Sequence, residues 1–271
     1  MIKLENFEVV GWEHVIRGMR NPMNSWEKMD SGNICTSKQK LEEGDNHIPY
    51  CLENFYPRKI ETIIGPNDHS LMMKLRNAGT DHRKFMRMIT VYVDITAPLY
   101  WWKEFDTYKV GTVANSCSTM HKIHEKEFTI DDFSCEHLGD GFMPILKETI
   151  HALNSARHMY LEYDETIKKG IPCLKGGTPC TKKDVWWQMI QLLPTSYNQK
   201  RTVMLNYEVL ANIYKSRKNH KLDEWHVLCD WIEGLPYSEL ITGPTLDDIP
   251  ICKEIMNEAE KRVKEGTDDE T

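Results

Sequence analysis

The sequence has no Cys-x-x-Cys pair among its 8 cysteines, no G-x-x-x-x-G-K-[ST] phosphate loop, and no apolar run long enough to cross a bilayer. Each absence excludes a class. Without paired cysteine spacing neither a disulfide framework nor a zinc ribbon is expected, and the cysteines read as reduced thiols that mostly fill core. His121-x-x-His124 followed by Cys135-x-His137 offers zinc-binding side chains in kind, but the spacing matches no zinc pattern and no metal is expected. Gly176-Gly177 lacks the spacing of a phosphate loop and is given no phosphate role. There is no charged-then-apolar leader at Met1–Phe7, so a cytoplasmic protein with no membrane partner is expected. Positive charge is also in short supply. Lys and Arg total 34 against 41 Asp and Glu, a formal charge of -7. That balance argues against nucleic-acid binding through a broad basic surface, so any anionic ligand has to be held locally.

What is present is enough for a real core: 271 residues, 40% of them hydrophobic, read as one domain or two closely packed ones. The chain is organised around residues 88–124. In Ile89–Ile95 the aliphatics Ile89, Val91, Val93 and Ile95 alternate with Thr90, Tyr92 and Asp94, the pattern of a half-buried strand. Thr96-Ala97-Pro98 then predicts a helix start with the proline in the first turn, and Leu99–Phe105 supplies its apolar body. The helix delivers a polar loop, Thr107–His121, of the kind a rigid scaffold uses to carry binding residues.

Elsewhere, residues 31–58 read as a loop or insertion rich in Gly, Asn, Asp, Lys and Glu. Ser70–Arg76 predicts a helix stopped by Ala78-Gly79, and Leu146–Lys169 a long helix stopped by Gly170. Thr181-Lys-Lys-Asp184 reads as a capping box opening a helix that Pro194 ends. A helix over Thr202–Lys218 follows, and at 100° per residue it would place Asn206, Ile213 and Arg217 within about 20° of one face. The final helix runs over Leu222–Glu233.

Taken together, these motifs resemble the flavin-dependent thymidylate synthases, in that family's order. Gly79-Thr-Asp-His82, the strand, and Ala97-Pro98 resemble the family's G-H-x-x-x-x-E-H segment, strand and A-P turn. Met189-Ile-Gln-Leu-Leu-Pro194 is similar to A-R-x-x-L-P. Asn206-Tyr-Glu-Val-Leu-Ala-Asn212-Ile-Tyr-Lys-Ser-Arg217 resembles N-x-R-x-x-x-N-F-x-x-L-R without a gap, and Glu224-Trp225 sits near the place of Q-W-E.

The resemblance implies an α/β (α+β mixed) fold, a mixed sheet packed with helices, as a single domain over residues 1–261 followed by a charged tail, 262–271. It implies homotetrameric assembly with ligand sites between subunits. The implied activity is reductive methylation of dUMP, or a related pyrimidine nucleotide, with methylene-tetrahydrofolate, FAD and NADPH. By carry-over, His82, Asn115, Asn206 and Asn212 would contact the flavin. Ser118, Lys109 and Arg217 would face the nucleotide, with Ser118 and Arg217 as the catalytic pair and Ser118 acting as a polarising donor. Arg217→Ala would then weaken nucleotide binding while leaving stability nearly unchanged.

The departures are equally specific. Of the family's R-H-R-x-x-S-x-N-E-x-S-x-R signature only Asn115 and Ser118 match. Ile190 stands where an arginine is expected, Glu208 where the N-x-R arginine is expected, and Arg87 near the place of a glutamate. Each lost charge-assisted bond is worth about 1.5–3 kcal/mol. Losing two would weaken dUMP binding about a hundredfold unless Lys109, Lys122, Arg87 or Arg201 substitutes. The alternatives are a nucleotide- or flavin-binding protein that kept the fold without the reaction, or a purely structural oligomer.

Overall fold

The computed structural model describes residues 2–36, 59–163 and 181–243. Most of the expected insertion, the Gly176-Gly177 stretch, residues 164–169 and the charged tail lie outside the described residues; the helix expected to run to Lys169 ends at Leu161, with Glu162 as its C-cap. In chain order the elements are β1 (Lys3–Val10), α1 (Trp12–Arg20), β2 (Gly32–Thr36), β3 (Lys59–Ile63), α2 (Pro66–Asn77), β4 (Thr90–Pro98), α3 (Leu99–Phe105), β5 (Val113–Ser116) and α4 (Thr119–Lys122). They continue with α5 (Met143–Leu161), α6 (Lys182–Leu192), β6 (Asn198–Asn206), α7 (Tyr207–Arg217), α8 (Asp223–Glu233) and α9 (Glu239–Thr242). The fold is mixed α/β, as expected. One sheet has the order β1-β4-β6-β5, and a second is the antiparallel pair β2-β3.

The chain forms two compact units, each discontinuous in sequence. The first comprises Met1–Glu8, Val91–Leu205 and Val209–Ser238. Its central strand β4 buries Val91, Val93, Ile95 and Ala97 while Tyr92, Asp94 and Thr96 face away, so the period-two reading holds. On the open side the Asp94 carboxylate accepts hydrogen bonds from the Thr202 hydroxyl at 2.6 Å and the Asn6 amide at 3.1 Å, and Lys200 Nζ lies 3.2 Å away. These contacts hold its pKa down to about 2. In α5, Leu146, Ile150, Leu153 and Ala156 recur at helical spacing and pack against Met189 of α6 with Ile123, Phe128 and Phe133. The expected capping box of α6 is present: Thr181 accepts from Asp184 N, and the Asp184 carboxylate accepts from Thr181 N.

The second unit comprises Val9–Thr90, Asn206–Glu208 and Glu239–Thr271. Helix α1 buries Trp12, Val15, Ile16 and Met19, an i, i+3, i+4, i+7 stripe, and Trp12 meets Tyr207 edge-on at 5.5 Å. Gly11, at φ 100, occupies the left-handed region that favours glycine, and a β-carbon there would stand 2.5 Å from Met88 O. The segment Arg83–Met88 forms a 3-10 turn leading into β4.

Three sequence expectations need correction. Pro98 is not in a helical first turn; it is the last residue of β4, extended at φ -67 and ψ 150, and precedes α3 as its N-cap. The polar loop is not continuous loop, because Val113–Ser116 pairs antiparallel with β6, Asn115 opposite Thr202 and Ser116 opposite Arg201. The stretch from Thr202 is not one helix: Asn198–Asn206 is a strand and helix begins only at Tyr207. Val203, Leu205 and Tyr207 are buried in alternation, a period-two signal that the helical spacing of Leu205, Val209 and Ile213 masked. Asn206 and Arg217 therefore do not share a helix face.

Candidate functional site

The first unit's polar residues converge on the C-terminal end of α3. Trp101, Trp102 and Phe105 of that helix are buried against one another and against Trp225 of α8, with ring centroids 4.8–6.4 Å apart. Glu104 is the one acidic residue on this aromatic helix. It lies in the last turn, where the negative end of the helix dipole disfavours a carboxylate. Donors from two other helices offset that. Glu104 Oε2 accepts from Arg217 Nη1 at 3.0 Å and from Trp225 Nε1 at 3.1 Å, and His220 Nε2 lies 3.4 Å away. His220 Nδ1 accepts from Leu222 N at 3.2 Å, which leaves Nε2 as the nitrogen that carries hydrogen toward Glu104.

Arg217 is held on three sides. Its Nε donates to Tyr108 Oη at 2.9 Å, Nη1 meets Glu104, and its guanidinium lies 4.6 Å from the Trp225 ring centroid and 5.7 Å from that of Tyr108. No hydrogen bond is made by its Nη2 among the described residues. These contacts argue against the expectation that replacing Arg217 would hardly affect stability, since Arg217 ties α3, α7 and α8 together.

A second set of contacts fixes the loop that carries Ser118. Arg201 stacks 4.1 Å above Trp102 and donates to Asp106 at 2.7 Å and to Gln199 Oε1 at 3.0 Å. Gln199 Nε2 in turn donates to the Cys117 carbonyl at 3.0 Å, and Cys117 N donates to Lys200 O at 2.9 Å. Ser118 caps α4, its hydroxyl oxygen accepting from His121 N at 3.1 Å, so its O–H remains available as a donor.

Of the residues carried over from the resemblance, Lys109, Asn115, Ser118, Asn212 and Arg217 belong to the first unit; His82 and Asn206 belong to the second. Lys109, Asn115 and Asn212 are exposed, as is His82, while Asn206 is half-buried. Two charges that depart from the resemblance meet each other. Arg87, near the place of a glutamate, bonds Glu208, which stands where an arginine is expected; Arg83 Nε lies 3.5 Å from the same carboxylate. The Arg87 pKa is raised by its hydrogen bond and charge interaction with Glu208. The resemblance exposed both departures without showing that they compensate.

Sequence reading missed Glu104, Tyr108 and His220 and gave Trp225 no role. The available signal was the lone carboxylate on an otherwise aromatic helix, four residues before a tyrosine. Among the described residues no group of three or more His, Cys, Asp or Glu could hold a metal, and no helix is long and apolar enough to cross a membrane.

No protein-family model and no curated protein matches the sequence. Solved structures do match the fold. A crystal structure of thymidylate synthase X from Helicobacter pylori with FAD and dUMP superposes with a TM-score of 0.53 at 13% identity, covering 89% of this chain and 98% of that one. A second crystal structure of the H. pylori enzyme with FAD and dUMP gives 0.52 at 14% identity, covering 89% and 97%. The UMP/dUMP methylase PolB from Streptomyces cacaoi, bound with 5-Br dUMP, gives 0.46 at 9% identity, covering 86% and 88%. This chain therefore shares its fold with the H. pylori flavin-dependent thymidylate synthase over 89% of its length.

Proposed function

We propose that the protein is a flavin-dependent pyrimidine-nucleotide methylating enzyme, acting on dUMP or a related nucleotide with methylene-tetrahydrofolate as carbon donor and NADPH as reductant. The observation that carries this reading is the fold likeness to an enzyme crystallised with FAD and dUMP, spanning 89% of this chain. When bound, FAD supplies the hydride chemistry that no side chain can provide. The imidazole of His82 and the amides of Asn115, Asn206 and Asn212 are neutral donors and acceptors suited to the polar edge of a flavin ring. Ser118 and Arg217 are donors suited to a pyrimidine nucleotide, with Lys109 an exposed cation for its phosphate. Assembly as a homotetramer belongs to the same proposal.

A specific observation favours a second reading, a nucleotide- or flavin-binding protein without turnover. Arg87, Arg201 and Arg217, the arginines that the resemblance puts forward for a phosphate, are paired with Glu208, Asp106 and Glu104. Purified protein separates the two. The expected result is visible flavin absorbance, stabilisation by added FAD of about 2.7 kcal/mol at a hundredfold excess over Kd, and formation of the methylated nucleotide when folate and NADPH are supplied. Ligand binding without product would select the second reading. A colourless protein that FAD does not stabilise would sink both flavin readings.

A further inference from the structure

We propose that Trp186 of α6 is a positioning residue for Ser118: its indole N–H holds together the short helix whose N-cap aims the Ser118 hydroxyl. The inference deepens the reading of Ser118 as a donor to a pyrimidine nucleotide, and rests on it.

Helix α4 is a single turn of four residues, Thr119–Lys122, and none of them is buried. A first helical turn fixes several backbone dihedrals for very few hydrogen bonds, so a turn this short does not stand by itself in water. The orientation of Ser118 depends on it. Ser118 Oγ accepts from His121 N at 3.1 Å and Ser118 O accepts from Lys122 N at 3.2 Å, and both contacts last only while residues 118–122 keep helical geometry. With the oxygen engaged by the cap, the hydroxyl hydrogen is what Ser118 has left to offer a ligand. Without the turn, the side chain is free to visit its other staggered rotamers.

The support for α4 therefore comes from other elements. Upstream, Cys117 is fixed to β6 through Lys200 O and Gln199. Downstream, Trp186 Nε1 donates to Met120 O at 3.0 Å, which satisfies one of the carbonyls that a helix end leaves without a backbone donor. Arg157 of α5 then donates to His124 O at 2.9 Å and to Glu125 O at 3.3 Å, and Ile123 is buried in the core that α5 and α6 share. Of these downstream anchors only the Trp186 bond falls inside the capped turn, two residues from Ser118. Trp186 is itself held, packed against the same core and against Trp187 at 4.8 Å between ring centroids. The core thus fixes the indole, the indole fixes the turn, and the turn fixes the hydroxyl.

Trp186→Phe keeps an aromatic ring against the core and deletes the N–H, and two measurements on the full-length chain test it. In hydrogen exchange without ligand, a peptide spanning residues 118–123 is expected to exchange about tenfold faster in Trp186→Phe, the loss of one hydrogen bond, while peptides from α5 and α6 are unchanged. In titrations with dUMP, Ser118→Ala is expected to bind about tenfold more weakly than the unmutated protein and Trp186→Phe about threefold to tenfold more weakly. The double variant is expected to stay within about twofold of Ser118→Ala alone, because a residue that acts through Ser118 has nothing left to act through. Losses that multiply in the double variant, or unchanged exchange over residues 118–123, overturn the proposal and leave the nucleotide reading intact. If Trp186→Phe does not fold, the indole N–H resonance of Trp186 in the unmutated protein decides: it is expected to shift on addition of dUMP, and a resonance that stays in place overturns the proposal. Binding of dUMP by Ser118→Ala as tightly as by the unmutated protein, or by none of these proteins, removes the reading of Ser118 and the proposal with it.

Discussion

At the scale of single residues, the most consequential charges are buried ones the sequence did not flag. Asp68 is fully buried and Arg20 nearly so, and they meet at 2.6–2.7 Å. Asp68 Oδ2 also accepts from Asp30 N, Ser31 N and the Ser31 hydroxyl. Burial pushes the Asp68 pKa up, but the Ser31 hydroxyl, the Asp30 amide and Arg20 together outweigh it and hold the pKa below the ordinary value. With a folded-state pKa depressed relative to the unfolded one, the stabilisation is fully present above about pH 3.9 and is lost as pH falls through the folded-state value. Asp68→Asn strands the Arg20 charge in the interior and is expected to cost about 3–5 kcal/mol. Urea titrations across acidic pH check this: the variant should be much weaker near neutrality and show a shallower loss of stability on acidification. Equal stability at pH 7 would refute it. Nothing in Arg17-Gly-Met-Arg20-Asn-Pro told Arg20 from Arg17, because the distinction is made by a partner 48 positions away.

Among elements, what was legible followed local rules. The alternation in β4 and the capping box of α6 involve neighbours in sequence, and the structure has both. The β6–α7 boundary was missed because a strand running directly into a helix leaves no turn residues to mark the change. The candidate residues on the loop and on α7 could be named from the sequence as positions, whereas the carboxylate that pairs with Arg217 comes from α3 and could not. Helix α2 depends on another non-local device. Its N-cap, Gly65, has no side chain, and the cap comes instead from Asp30, which accepts from Asn67 N at 2.8 Å and Asp68 N at 3.0 Å. A β-carbon at Gly65 would stand 2.3 Å from Asp30 Cγ and 2.4 Å from Asp30 O. Gly→Ala at a compatible site gains about 0.4–1 kcal/mol; here Gly65→Ala is expected to lose about 1–3 kcal/mol by overpacking. Thermal melts of the purified variant decide the sign.

For the molecule as a whole, composition and element order gave the mixed α/β class, but not that each compact unit is assembled from three separate stretches of chain. Such assembly depends on pairings between distant segments, which local periodicity does not encode. Strand β1 is the clearest case: residues 1–30 read only as alternating apolar and charged positions, yet Lys3–Val10 lies at one edge of the four-stranded sheet beside β4. Its residues reach far along the sequence. Asn6 bonds Asp94, Glu5 lies 3.7 Å from Lys200, and Phe7 meets Trp231 edge-on at 5.8 Å. The surface ion pair is worth little, and the aromatic pair about 0.5–1.5 kcal/mol, so Phe7→Ala should lower Tm by only a few degrees in a chain of this size. Deleting residues 1–8 is a different perturbation. It removes a whole ladder from β4, strips the Phe7 ring from Trp231, and exposes the backbone of a strand that otherwise has neighbours on both sides. The expected outcome is loss of a cooperative near-ultraviolet circular dichroism transition in the deletion variant, against a small shift for Phe7→Ala. A deletion variant that melts cooperatively at the temperature of the intact chain would show that β1 is an appendage, and that the sheet's stability resides in β4, β6 and β5 alone.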